Sequence, residues 1–446
     1  MINAMQIPSS PIKPLLKKIL SRGLDAVDAH AAVGRAISRD GAVLTIGRRR
    51  YDLNNYERVV VVGAGKATAS MALAVEQRLG HWLHSGFVVV KQGHGLPMKR
   101  ILVAEAGHPV PDRSGQRAAA KLCAMVSALG RRDLLILLLS GGASSLLPAS
   151  VAGVTLADKQ RTTEKLLRCG ATIREINTVR KHLSRIKGGR LAESSNATMV
   201  TLILSDVLGD DLSTIASGPT VPDPTTYRDA IAILKRYRIW LTVPQRVRQH
   251  LDRGRQGLVS ETPKPVSTLF RRVHHHIVGN NEVAVRAVAR AAKKAGFRTI
   301  LHEAITGEAR GAGKRFGSLA KTLLRKGRSL QKPCCIVAGG ETTVTVTGKG
   351  MGGRAQEFAT AAALEIAGLA KVWVVAIGTD GTDGPTDAAG AVVDGDTVAR
   401  AQRLQINLVG ALKRHNTYPA LKKLDQLIVT GPTGTNVNDL YLLLVR

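Results

Sequence analysis

"RVVVVGAGKATAS" (residues 58–70) begins with four consecutive valines, turns through Gly-Ala-Gly-Lys and continues into small residues at helical spacing. β-Branched residues without polar alternation suit a strand covered on both faces, the pattern of a parallel sheet. Glycine directly after such a strand permits a tight turn into a helix. Similar apolar runs follow as "GFVVV" (86–90), "RILVAE" (100–105), "DLLILLLSGG" (133–142) and "MVTLILSDV" (199–207), with helical patterns near 67–79 and 115–129 between them. A helical segment over roughly 10–37 precedes the first strand. Strand and helix in alternation imply an α/β fold: an N-terminal Rossmann-like domain of three α/β/α layers around a parallel sheet.

The polar stretch "GRQGLVSETPKP" (254–265) breaks the pattern and reads as a linker, so an N-terminal domain is expected over 1–262 and a C-terminal one over 263–446. At 446 residues the chain also exceeds the size at which one core stops growing. Beyond the linker come "HHIVG" (275–279), a helix over 282–295, "FRTILHE" (297–303) and a helix over 313–325. "CCIVAGGETTVTVTG" (334–348) reads as two closely connected strands, the second alternating. That hairpin predicts a C-terminal α/β domain with a mixed sheet.

Sixty-four Lys and Arg against 33 Asp and Glu leave a net charge of +31. Such an excess suggests anionic partners. The bases are scattered, however, with "GRRR" (47–50) the longest run, and 5 Phe, 3 Trp and 6 Tyr leave little to stack on bases. This distribution argues against nucleic acid. The four cysteines form no CxxC pair and read as reduced thiols. No secretory h-region and no apolar stretch near the roughly 18 residues of a membrane helix are evident. A cytoplasmic protein without membrane contact is expected, and a homodimer stays open.

In doubly wound sheets ligands bind beyond the carboxyl ends of the strands. Lys66 stands there after Gly63 and Gly65, a point charge for phosphate or carboxylate. Thr68 occupies the third glycine position of a dinucleotide fingerprint, and "VVVKQG" (88–93) ends without the acidic ribose partner, which argues against a nicotinamide site. Ser140, Gly141, Gly142 and Ser144 follow the next strand and offer donors to an anion. In "INTVRKHLSRIKGGRLA" (176–192), Arg180, Arg185 and Lys187 are candidate anion contacts, with a solvated basic face accounting for at least two of them. Asp206 closes a strand where a general base or magnesium ligand can sit.

Gly339, Gly340 and Glu341 follow another strand, and Gly352 and Gly353 lead to Arg354 at a helix start, where guanidinium can clamp phosphate. "GTDGTDGPTDAAGA" (378–391) places Asp380 and Asp383 where carboxylates could hold magnesium against nucleotide phosphates. Thr433, Thr435 and Asn438 add hydroxyl and amide donors. Glycine-rich loops, carboxylates and bases form an inventory for phosphoryl transfer. The P-loop and protein-kinase signatures are both missing from the sequence.

"VGAGKA", "GHPVPD", "LLSGGASSLL", "INTVRKHLSRIKGGRLA", "SDVLGDDLSTIASGPTVPDPTT", "GGETTVTVTGKGMGGRAQE", "GTDGTDGPTDAAGAVVD" and "TGPTGTNVNDL" together closely resemble the class II glycerate 2-kinases, over nearly the whole chain and in order. The resemblance implies a Rossmann-like domain followed by a MOFRL domain, and ATP- and Mg²⁺-dependent phosphorylation of D-glycerate to 2-phosphoglycerate in a cleft between them. It implies Lys66, Asp206 and Arg354 as the catalytic trio. Ser140, Gly141, Gly142, Ser144 and Arg180 are then expected at the substrate. Gly339, Gly340, Glu341, Gly352, Gly353, Thr433 and Asn438 are expected at the nucleotide, and Asp380 and Asp383 at the metal. The sequence departs from the family's usual residues at Ala355 and at Asn416-Thr417. The alternatives are an NAD(P)-dependent hydroxypyruvate reductase, a name some relatives carry, and a non-catalytic nucleic-acid-binding relative.

Overall fold

The structure, a computed structural model, describes residues 5–325 and 333–446. The chain forms two units: Ala29–Val278, and the residues up to Asp28 together with Gly279–Arg446.

The first unit opens with a small antiparallel sheet of β1 (Ile37–Asp40), β2 (Val43–Ile46) and β3 (Arg49–Asp52). Its main sheet has the order β6-β5-β4-β7-β8-β9, from β4 (Arg58–Ala64), β5 (Leu83–Lys91), β6 (Ile101–Ala106), β7 (Asp133–Leu139), β8 (Thr198–Leu204) and β9 (Val273–Gly279). The pairs β4/β5, β4/β7, β5/β6 and β7/β8 are parallel, so their carboxyl ends share one edge. Every residue of β7 is buried. One face packs Val60, Val62, Leu135 and Leu137 against Leu122 and Val126 of helix Arg113–Ser127. At about 1.5–3 kcal/mol for each fully buried Val or Leu, that is why these strands carry no alternation.

Beside the sheet, helices Leu156–Arg168, Ile173–His182, Tyr227–Arg236 and Gln245–Arg255 enclose a second core of Leu166, Ile176, Val179, Tyr227, Leu234 and Leu251. Three of them start at capping boxes, Thr155 with Asp158, Thr172 with Glu175 and Thr226 with Asp229. Each box satisfies N–H groups that a helix start would otherwise leave open. The helix starts therefore hold their register.

The second unit has a mixed sheet of β10 (Arg298–Leu301), β11 (Ile305–Glu308), β12 (Cys334–Thr343), β13 (Val372–Gly378), β14 (Gly390–Asp394), β15 (Leu427–Ile428) and β16 (Asp439–Val445). Strand β12 runs parallel to β10 and β11 and antiparallel to β16. The expected hairpin within 334–348 does not form, because Gly339-Gly340 carries the strand onward instead of turning it. Residues 344–347 lie outside any strand, and the mixed character comes from the antiparallel pairs β12/β16, β13/β16, β13/β14 and β14/β15.

The expected N-terminal helix is two, Lys13–Ala26 and Ala29–Ala36, separated at the boundary between the units. The units also depart from a division at 262/263. Helix Lys13–Ala26 packs on helix Asn281–Lys294, which draws the first residues to the second unit, while β9 completes the first unit's sheet.

Candidate active site

Along the shared edge of the parallel sheet, β4 ends at Gly65-Lys66, β7 at Ser140-Gly141-Gly142 and β8 at Ser205-Asp206, with β7 between the other two. Gly65 has φ +140°, and a Cβ there would collide with Ser140, so only glycine lets the β4 turn approach the end of β7. The Lys66 N–H donates to the Gly141 carbonyl at 2.8 Å. Ser140 is buried, its Oγ accepting from the Ala67 N–H (3.0 Å) and lying 3.1 Å from Thr68 Oγ1. Its hydroxyl thus staples the turn. Lys66 and Asp206 are both half-buried. His108 lies in the same field: burial, and then the charges of Lys66, Lys91 and His94, pull its imidazole down to about 4. It is therefore neutral near pH 7.

A pocket of about 460 Å³ opens from this edge, walled by Pro109, Pro111, Pro148 and Leu156 and lined by Ser144, Lys159, Arg180 and Lys187. Lys187 is 2% exposed, and its Nζ donates to Ser144 Oγ (2.6 Å) and to the Ser144 carbonyl (3.0 Å). Ser144 Oγ lies 3.2 Å from Ser217 Oγ, which donates to Asn177 Oδ1 at 3.0 Å. Lys159 is 9% exposed and donates to the Ala149 carbonyl at 3.2 Å. Burial, reinforced by the Arg180 charge, pulls the Lys159 ammonium down to about 7. Lys187 falls well below the usual lysine range from burial and from both neighbouring cations, and burial lowers Arg180. Of the three bases singled out in 176–192, only Arg185 is exposed, so the solvated-face account fails for Arg180 and Lys187. Lys159 was missed from sequence. Its signal was its place three residues after Leu156 and seven before Leu166, on the apolar stripe of its helix.

In the second unit Arg354 begins helix Arg354–Glu365. Its Nη1 donates to Glu341 Oε1 at 2.6 Å, Nη2 to Asp439 Oδ1 at 3.0 Å, and Nε lies 2.8 Å from Asp439 Oδ2. Asp439, at the start of β16, is fully buried and also accepts from the Tyr441 hydroxyl at 3.0 Å. Burial pushes its carboxyl up to about 7 against the pull of Arg354. Sequence reasoning passed over Asp439, although an aspartate opening the run "LYLLLV" was the clue.

Asp383 is buried, and its two oxygens accept from the N–H groups of Ala355 (3.1 Å) and Gln356 (2.9 Å). Gly353, the N-cap of that helix, has no side chain to offer, and a Cβ on it would collide with the Asp383 carboxylate. Asp383 thus caps the helix from a distant loop, each of its oxygens accepting one backbone N–H. Burial raises its carboxyl to about 6. Asp380 is half-buried in a turn, its Oδ1 accepting from the Thr382 N–H (3.1 Å) and hydroxyl (3.2 Å). The Thr433 hydroxyl donates to the Thr379 carbonyl at 2.6 Å, and the Asn438 carbonyl accepts from the Thr379 hydroxyl at 2.7 Å. Thr433 and Asn438 therefore tie the loops after β13 and before β16 together. Asn281 reaches the same place, its Nδ2 donating to the carbonyls of Val437 (2.7 Å) and Asp439 (2.9 Å) beside Gly339. Gly352 packs on Thr417, and Gly340 on the backbone of Ile305. Among the described residues no three His, Cys, Asp or Glu side chains gather as a metal cage. No helix among them is long and apolar enough to cross a membrane.

Comparison with known proteins gives two family matches: DUF4147, a domain of unknown function, over residues 15–252, and the MOFRL family over 334–439. A glycerate 2-kinase of Pyrococcus horikoshii is 42% identical over 97% of this chain and 97% of its own. A protein of Agrobacterium vitis carrying the name hydroxypyruvate reductase is 46% identical over 87% of each chain. The crystal structure of a glycerate kinase from Thermotoga maritima superposes with a TM-score of 0.86 at 40% identity, covering 98% of this chain and 99% of that one.

Proposed function

Because the chain belongs to the glycerate kinase family that joins a DUF4147 domain to a MOFRL domain, we propose that it transfers the γ-phosphate of ATP to the 2-hydroxyl of D-glycerate, giving 2-phosphoglycerate. The observation that carries this reading is the sheet edge on which Lys66 and Asp206 flank the Ser140-Gly141-Gly142 turn. Phosphoryl transfer needs an aligned hydroxyl and neutralised phosphate charge, with little covalent help. In this reading Asp206 accepts the acceptor's hydroxyl proton or orients that hydroxyl. Lys66 offsets the charge of the phosphoryl group in transit. Ser144 and Arg180 face the acceptor, while Ser140 shapes the turn.

The nucleotide is assigned to the second unit, near Glu341, Arg354 and the loops that Thr433 and Asn438 tie together. Arg354 is already bound by two carboxylates, so it reaches a phosphate when Glu341, 42% exposed, releases it. Asp380 suits magnesium, since Mg²⁺ on a nucleotide often takes only one or two protein carboxylates and keeps several waters. Held there, the ion would supply positive charge to offset that of the phosphates. Free thiols suit a reducing compartment, and the reading places the reaction in the cytoplasm.

The reductase name borne by some relatives is disfavoured here. A hydride-transfer enzyme of this topology needs close backbone approach to a pyrophosphate at the β4 turn. Thr68 is instead buried against Ser140, and β5 ends at Lys91 where an acidic ribose partner would be required. The test is direct: incubate the protein with ATP, Mg²⁺ and D-glycerate and follow the product by ³¹P NMR. A phosphate ester on the 2-position supports the reading, and its absence under saturating substrates rejects it.

A further inference from the structure

Three cations from three segments converge on the pocket beside the sheet edge: Lys159 from helix Leu156–Arg168, Arg180 from helix Ile173–His182, and Lys187 from the turn that follows. The charges bearing on Lys187 are those of Lys159 and Arg180, both of its own sign. Glu164, the carboxylate on the wall, is exposed and pairs with Arg168 at 2.7 Å. Each lysine is held by neutral oxygens, from Ala149 and from Ser144. Like charges withdrawn from water and given no counter-ion destabilise a fold. Such a cluster is favourable once an anion enters. The rest of the lining is largely apolar, with Pro109, Val110, Pro111, Pro148, Leu156 and Leu167 beside Gln160 and Thr163.

We propose that Lys159, Arg180 and Lys187 form the subsite for the acceptor's carboxylate, so that the enzyme selects short hydroxy acids over neutral polyols by charge. This rests on the kinase reading above. Ser144 joins the pocket to the edge that carries Lys66 and Asp206, since it both accepts from Lys187 and follows Gly142 at the end of β7. An acid anchored by its carboxylate among the cations would present its hydroxyl toward that edge. The volume, about 460 Å³, exceeds what a three-carbon acid fills. Acceptor length is then read loosely and acceptor charge strictly.

The test uses the whole protein with Lys159→Met and Lys187→Met, which keep the stems and remove the charges. A charge-assisted hydrogen bond lost without replacement weakens affinity by roughly 10- to 100-fold. Each variant should raise KM for D-glycerate by at least about tenfold while KM for ATP stays put. A fall in melting temperature with unchanged glycerate KM means a purely structural lysine and overturns the proposal. Should Lys187→Met fail to fold, Lys159→Met and Lys159→Gln decide alone. Calorimetric titration with D-glycerate and, separately, inorganic phosphate identifies the anion. Variants that lose phosphate but keep glycerate overturn the carboxylate assignment. A wild-type protein that binds D-glycerate through these lysines yet forms no phosphorylated product sinks the kinase reading and leaves the subsite standing. Product formed by both variants at wild-type glycerate KM does the reverse.

Discussion

Arg354→Met tests whether the arginine that sequence assigns to catalysis also holds the second unit together. The guanidinium contacts Glu341 at 2.6 Å and grips both oxygens of Asp439 at 2.8 and 3.0 Å. Glu341 is exposed and rehydrates on losing its partner, so its share is small. Asp439 is fully buried and would keep only the Tyr441 hydroxyl. Breaking a buried pair from one side costs about 3–5 kcal/mol, and the remaining bond and proton uptake by Asp439 put this case near the lower end, about 3 kcal/mol. At about 2–4 °C per kcal/mol for a unit of this size, the melting temperature should drop by about 6–12 °C. Asp439 already titrates near 7, and loss of Arg354 raises it further. A carboxyl whose folded pKa lies above its unfolded value contributes stability that is complete below the unfolded pKa and is lost as pH rises through the folded one. The deficit should therefore be largest at pH 8 and shrink toward pH 5. Adding Asp439→Asn to Arg354→Met removes the stranded charge and should recover much of the loss, as a double-mutant cycle followed by thermal melting would show. A single variant melting within about 1 °C of wild type at pH 8 would refute the reasoning.

Two further outcomes separate the carboxylates. Asp206→Asn should nearly abolish kcat while Mg²⁺·ATP affinity by calorimetry stays near wild type, whereas Asp380→Asn should weaken that affinity; full affinity in Asp380→Asn reduces Asp380 to turn formation. Asp383→Ala should destabilise the protein by about 1–2 kcal/mol through loss of the helix cap, with Asp383→Asn milder and neither altering the magnesium dependence of nucleotide binding; a magnesium-dependent phenotype would return Asp383 to the metal.

Strand identity was legible in the chain itself. Runs such as Val59–Val62 and Leu134–Leu139 declare a doubly covered parallel sheet because burial on both faces leaves no place for polar alternation, and Lys66 and Asp206 stood out as polar groups at the ends of such runs. What sequence could not supply was the partner of each polar group, since that depends on which distant segments meet. Asp383 looks like a metal ligand in its own loop and becomes a helix cap only because Gly353 comes within reach of it. Ser140 looks like a substrate donor until the β4 turn closes on it. Lys159 looks like one more base in a chain of net charge +31, and only the packing of two capped helices withdraws it from water beside Arg180 and Lys187. Local patterning determines whether a segment is buried, but hydrogen bonds and charge pairs are settled between segments remote in sequence, and there tertiary structure alone decides which charge is structural and which waits for a ligand.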